Sequence, residues 1–131
     1  MKPSHRVAAL IGVAAILFSG CAGARADDSR QHCFFASEFQ NWKAADDQTL
    51  HIRVGLHRYF RLDLAGACRT VKWPNAVLIT KFRGSNAVCS ALDWDLQVAQ
   101  GVHDIPEACI VKQMTELTQA EADALPAKAK P

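Results

Sequence analysis

The stretch Leu50 to Leu64, LHIRVGLHRYFRLDL, constrains the fold more than any other part of the chain. Its even positions Leu50, Ile52, Val54, Leu56, Phe60, Leu62 and Leu64 are apolar, and Arg58 alone breaks the row. The odd positions between them include His51, Arg53, His57, Arg61 and Asp63. A period of two means extended chain, with one face in a core and the other toward water. Fifteen residues at about 3.4 Å each would make a strand of about 50 Å. A domain of roughly 100 residues has a radius of gyration of only about 13 Å, so one straight strand does not fit. The stretch therefore divides into two strands, 49–55 and 58–65. Gly55 supplies the backbone freedom for the turn, and Arg58 is the interruption in the pattern.

The same kind of reading extends along the chain. Cys33-Phe34-Phe35 is an apolar anchor, and Glu38 to Lys43 alternates around Phe39 as a first strand. Asp46-Asp47-Gln48 is turn chemistry, because an Asp side chain can bond its own backbone two residues on. Val71 to Asn75 is a turn or a single helical turn closed by Pro74. Ala76 to Phe82 is β-branched and extended, and residues 83–86 turn the chain back. Leu92 to Val98 alternates, with Leu92, Trp94, Leu96 and Val98 inward, and Ala108 to Met114 forms the last strand. Thr118-Gln119-Ala120-Glu121 fits a capping box opening a short helix that ends before Pro126. Lys128 to Pro131 is expected to fray. The fold class is mainly β: a small antiparallel β-barrel or sandwich of about six strands with a short C-terminal helix.

The N-terminus is of a different kind. Lys2 and Arg6 precede the twelve-residue apolar run Val7 to Phe18, too short to span a bilayer and suited to a signal-peptide core. Ala24-Arg25-Ala26 carries small residues where signal peptidase needs them, so residues 1–26 read as a signal and 27–131 as one β-rich domain with an ordered core over 33–125. The competing pattern is Phe18-Ser19-Gly20-Cys21, in which Cys21 would be lipidated and would supply the sole membrane attachment. Both readings export the protein to the periplasm or beyond. Of 15 basic residues the signal removes Lys2, Arg6 and Arg25, leaving 12 against 13 acidic ones. That near balance argues against a nucleic-acid partner, as does export.

Four cysteines remain after Cys21: Cys33, Cys68, Cys89 and Cys109. An even number in a short exported chain implies two disulfides. Three pairings are open, and loop length favours Cys68–Cys89 with Cys33–Cys109. No pair is spaced as CxxC, so neither thioredoxin-like chemistry nor a zinc knuckle is supported, and no metal or cofactor is expected.

Candidate functional residues are sparse. There is no GxSxG elbow, Walker loop, dinucleotide fingerprint or HExxH. Asp93 and Asp95, two apart on an expected strand, would share one face; with His51 or His57 they would make a hydrolytic or metal-dependent site. The alternation itself already requires polar residues there. His51, Arg53, His57 and Arg61 form the outward row of the central stretch and are the candidate binding face. Arg53, Arg58, Arg61, Arg69, Lys72, Lys81 and Arg83, with Trp42, Tyr59 and Trp73 near them in sequence, could form a basic-aromatic surface. These features favour a non-catalytic binding domain for an envelope or secreted macromolecule. A small enzyme built on the two aspartates, or an inhibitor of a secreted enzyme, is the alternative.

The segments CFFASEFQNWKAADDQTLHIRVG, Tyr59-Phe60-Arg61-Leu62, VCSALDWDL and ACIVKQM, with the four cysteines, resemble domain-of-unknown-function family 6491 over residues 31–126. These are small exported bacterial proteins. The resemblance implies an envelope location and two disulfides, and it brings no activity or functional residues.

Overall fold

A computed structural model describes residues 32–101 and 103–131. The signal reading and Cys21 lie outside the described residues. The central stretch forms two strands, β3 (Thr49–Val54) and β4 (Arg58–Leu64), paired antiparallel from Thr49↔Asp63 to Val54↔Arg58. Between them Gly55 takes φ +58°, a left-handed conformation that favours glycine. Leu56, the apolar residue of the turn, is left exposed. Leu50, Ile52, Val54, Phe60 and Leu62 are all at most 1% exposed, so the alternation does set the core face. Each such side chain contributes on the order of 1.5–3 kcal/mol by leaving water.

β2 (Phe39–Ala44) pairs with β3, joined by a turn in which the Gln48 N–H donates to Asp46 Oδ1 at 2.8 Å. β9 (Val111–Leu117) pairs with β4 on the other side, giving a four-stranded sheet ordered β2-β3-β4-β9. A second sheet contains β5 (Val77–Phe82), β7 (Trp94–Ala99) and β8 (Glu107–Cys109) in the order β5-β7-β8. Two short strands, β1 (Phe34–Phe35) and β6 (Ala87–Val88), pair with each other. Every pairing is antiparallel.

The expected last strand is thus two. Ile110 separates β8 from β9, its carbonyl accepts the Ala65 N–H at 2.9 Å, and the chain passes there from one sheet to the other. The sheets do not close into a barrel. β2 and β5 are each an edge strand of their sheet, as β9 and β8 are at the other ends, and no ladder joins β2 to β5 among the described residues. They meet through rings instead: Phe39 of β2 and Phe82 of β5 pack on the Trp94 indole at 6.4 and 5.0 Å between centroids. Phe34 sits against Phe60 and Trp94 deeper in the same cluster.

The disulfides are Cys33–Cys89 and Cys68–Cys109, which overturns the pairing favoured by loop length. The reason is strand register. Phe34 lies opposite Val88 in the β1–β6 ladder, so Cys33 and Cys89, one step further along it, face each other. Leu64 lies opposite Val111 at the end of the β4–β9 ladder, which carries the following loop with Cys68 toward Cys109. Each staple closes a large loop, over separations of 56 and 41 residues.

After β9, Thr118 caps the helix α1 (Gln119–Asp123). The Glu121 N–H donates to Thr118 Oγ1 and the Thr118 N–H donates back to Glu121 Oε2. The chain does not fray after Pro126. Ala127–Ala129 forms a short 3-10 turn against β2, Ala129 is buried, and Lys130 reaches Asp123 at 3.3 Å.

Candidate functional site

Asp93 and Asp95 do not form a pair of carboxylates. The 3-10 turn Ala91–Asp93 precedes β7, so Asp93 is not on the strand, and Leu92 points outward, not into the core. Asp93 Oδ2 accepts from the backbone N–H groups of Cys89 (2.9 Å) and Ser90 (2.8 Å) and from the Ser90 hydroxyl (3.2 Å). The bond from the Cys89 amide holds its carboxyl below the ordinary value, with burial opposing and the Ser90 bonds adding to the effect. This carboxylate caps a turn. Asp95 is half-buried on β7, opposite Lys81 of β5.

The outward row of the central stretch does not make one open face. His51 is buried beneath the C-terminal segment, 3.0 Å from the Ala129 carbonyl through its Nδ1. A carbonyl can only accept, so Nδ1 carries the proton. His57 lies in the exposed turn after Gly55. Arg61 is exposed and paired with Asp63 at 2.8 Å. Arg53 is half-buried with its Nε enclosed, and Lys130 lies over the neighbouring Tyr59 ring at 5.7 Å. Sequence periodicity had no means of showing that a tail would return to cover this row.

Among the described residues, the one group of three or more His, Cys, Asp or Glu close enough to share a metal is Cys68, Cys109 and Glu107, within 4.8 Å of one another. Its two sulfurs are joined to each other, so neither is a thiolate.

Arg58, Arg61 and Lys130 have acidic partners, while the exposed Lys43, Arg69, Lys72, Lys81, Arg83, Lys112 and Lys128 form no ion pair among the described residues. Arg58 bonds Glu116 through two nitrogens, at 2.6 and 3.0 Å, and the Cys33 carbonyl through a third. Of the exposed cations, Lys43, Arg69 and Lys72 line hollows beside Trp73.

Two chain segments bring them together. The 3-10 turn Arg69–Lys72 is held by buried Val71, by the Cys68–Cys109 disulfide and by Glu107 Oε2, which accepts from the Thr70 hydroxyl at 2.6 Å. It delivers Trp73 to the surface, 48% exposed. Pro74 and Asn75 then turn the chain into β5; Asn75 has φ +66°, and the Ala76 N–H closes onto the Trp73 carbonyl. Opposite lies the free edge β2. Asn41, Trp42 and Lys43 of β2, with Trp73 and Asn75, line a groove of about 410 Å³ at one end of the opening between β2 and β5. A second hollow is lined by Asp47, Arg69, Lys72 and the same Trp73. Of the basic-aromatic residues noted in the sequence, Trp42, Trp73, Arg69 and Lys72 are gathered here. Lys43, Asn41 and Asn75 were not singled out; the tryptophan–proline–asparagine turn was the available signal for the last of them.

Fold and site together define a disulfide-stapled, antiparallel β domain with an open edge bordered by tryptophan and by cations that form no ion pair among the described residues. The chain belongs to the family of unknown function DUF6491, whose model matches residues 4–130. No curated protein and no solved structure matches it. Among the described residues no helix is long and apolar enough to cross a membrane.

Proposed function

We propose that the protein is an exported, non-catalytic binding domain that engages a macromolecule of the cell envelope at the opening between β2 and β5. The observation that carries this reading is the groove: Trp42, Trp73 and three exposed cations that form no ion pair among the described residues line adjoining hollows beside the edge strand β2 and the turn into β5. Aromatic faces and unpaired charges are the groups that give a surface affinity and orientation. The two disulfides and the twelve-residue apolar run of the N-terminus support export. The runner-up, a site built from Asp93, Asp95 and a histidine, loses support from the geometry. Asp93 caps a turn, His51 lies under the tail and His57 sits in a separate turn.

The test immobilises the oxidised protein beside its Trp73→Ala and Lys43→Gln variants and passes envelope extract over each. Material retained by the wild type and lost from both variants is the expected result. An identical retention profile on all three columns would sink the reading.

A further inference from the structure

We infer that the groove beside β2 takes an extended acidic segment of another protein, which adds to β2 as a further strand of its four-stranded sheet. This rests on the binding reading above and names the partner's chemistry.

The edge itself is the reason. The Ala45 N–H donates to the Thr49 carbonyl at 2.9 Å, and Ala44 lies opposite Leu50. Hydrogen-bonded pairs alternate along an antiparallel ladder, so Asn41 and Lys43 turn their backbone groups to β3, and Trp42 and Ala44 turn theirs outward. The outward Trp42 N–H is closed by the Asn41 side chain, whose Oδ1 accepts it at 2.9 Å. The Trp42 carbonyl and both backbone groups of Ala44 form no hydrogen bond among the described residues. The register breaks between Phe39 and Asn41, so the regular edge spans 41–44, and the groove lies along those same residues. The rest of its lining, residues 73–76, does not pair with a strand: Pro74 has no N–H, and the Ala76 N–H is bonded to the Trp73 carbonyl at 3.2 Å. A strand in the groove therefore pairs with β2, the mode in which main-chain bonds give affinity and alternate side chains give specificity.

Charge decides what that strand carries. Lys43 lines the groove with no acidic residue among the described ones beside it, and the hollow that shares Trp73 holds Arg69 and Lys72 against Asp47. A second copy of this chain, paired β2 to β2, would bring a second Lys43 to the same edge, and lysine on an edge strand opposes such pairing. Carboxylates are attracted there instead. The pleat sets their pattern. Trp42 and Ala44 pack toward the core, while Asn41 and Lys43 are exposed on the other face. A strand that alternates acidic and apolar residues places carboxylates beside Lys43 and apolar side chains beside Trp42.

The probes are short peptides with blocked termini and a dye, added to the full chain as its host processes it, with both disulfides intact, and followed by fluorescence anisotropy. An alternating glutamate–valine peptide should bind about tenfold more tightly than its lysine–valine counterpart, and less tightly as salt rises. N-methylation of every second peptide amide should abolish binding in one phase of the alternation and spare it in the other, because an added strand turns alternate amides to its neighbour. Ala44→Pro removes an outward N–H at an edge position and should weaken binding about tenfold while the melting temperature holds. The methylation contrast needs no variant and decides alone if Ala44→Pro lowers stability. Asn41→Ala frees the Trp42 N–H and should tighten binding about threefold. No binding of the glutamate–valine peptide, equal loss in the two methylation phases, or preference for the lysine–valine peptide overturns the inference. So does a dimer in sedimentation that Ala44→Pro converts to monomer, since a second copy would then hold the edge. None of these results alters whether envelope material is lost from Trp73→Ala and Lys43→Gln, so strand addition and the binding reading fail separately.

Discussion

Glu116→Gln should cost the protein stability in a way that depends on pH. Glu116 sits on β9 opposite Phe60, with its side chain 18% exposed, and takes two bonds from Arg58, whose side chain is 35% exposed. Gln keeps the shape, removes the charge and sets an amide N–H₂ against the guanidinium. Breaking a fully buried pair costs about 3–5 kcal/mol, whereas an exposed pair contributes about 1 kcal/mol or less. Solvent screening at Arg58 places this pair between the two, at about 1–2 kcal/mol, or roughly 5–10 °C in melting temperature. The Arg58 hydrogen bond is the largest influence on Glu116 and holds its carboxyl below the ordinary 4.5; burial opposes this, and the Arg58 charge and then His32, whose Nδ1 lies 3.1 Å from Glu116 Oε2, add to it. A carboxyl depressed in the folded state contributes stability that is complete above its unfolded value and lost as pH falls through the folded one. Wild type and Glu116→Gln should therefore differ most near neutrality and converge in acid. Asp93 is also held low and weakens both proteins together, so the difference curve isolates Glu116. Urea unfolding across that pH range, closed as a cycle with Arg58→Gln, is the assay. A difference that is constant with pH, or a coupling energy near zero, would refute the argument.

Three further outcomes follow from the same structure. Replacing Cys33 and Cys89 by serine should cost about 4 kcal/mol by loop-closure entropy, read in urea unfolding, because the bond closes a separation of 56 residues. Deleting residues 126–131 should expose His51, which loses the Ala129 carbonyl, and speed its reaction with diethyl pyrocarbonate to the rate of His57. Under the proposed export, intact-mass measurement of the protein from its host should find Asp27 at the N-terminus; a diacylglycerol mass on Cys21 would replace that expectation with lipidation, and an unprocessed Met1 start would refute export by this signal.

What the sequence made legible was whatever is decided within a few residues. The faces of β3 and β4 follow from a period of two, their break at Gly55 from domain size, and the start of α1 from Thr118 and Glu121, three apart. What escaped depended on distant partners. β1 and β6 are two residues each, too short to show a period, yet their register decides which cysteine meets Cys33. His51 belongs by pattern to a solvent face and is buried because a segment 78 residues away lies over it. Asp93 and Asp95 alternate like strand residues, but the Ser90 cap takes Asp93 into a turn. The groove was half visible: its tryptophans and two of its cations could be named, and their convergence required the turn at Pro74 and the open edge of β2.

The two staples should then differ in their bearing on function. Cys33–Cys89 fastens the β1–β6 pair and lines neither hollow of the groove. Cys68–Cys109 fastens the loop immediately before the Arg69–Lys72 turn, and the Cys68 N–H also bonds the Asp47 carbonyl at 2.7 Å. With Glu107 on Thr70, it fixes the segment that holds Trp73 across from β2. The two bonds close loops of similar length, so their removal should cost nearly the same global stability. Below the melting temperature of both variants, Cys68→Ser/Cys109→Ser should lose whatever envelope material the wild type retains at the proposed groove. Cys33→Ser/Cys89→Ser should keep it. Equal loss in the two would mean that the staples act only on the fold as a whole, and that the Arg69–Trp73 turn needs no fastening to form the groove.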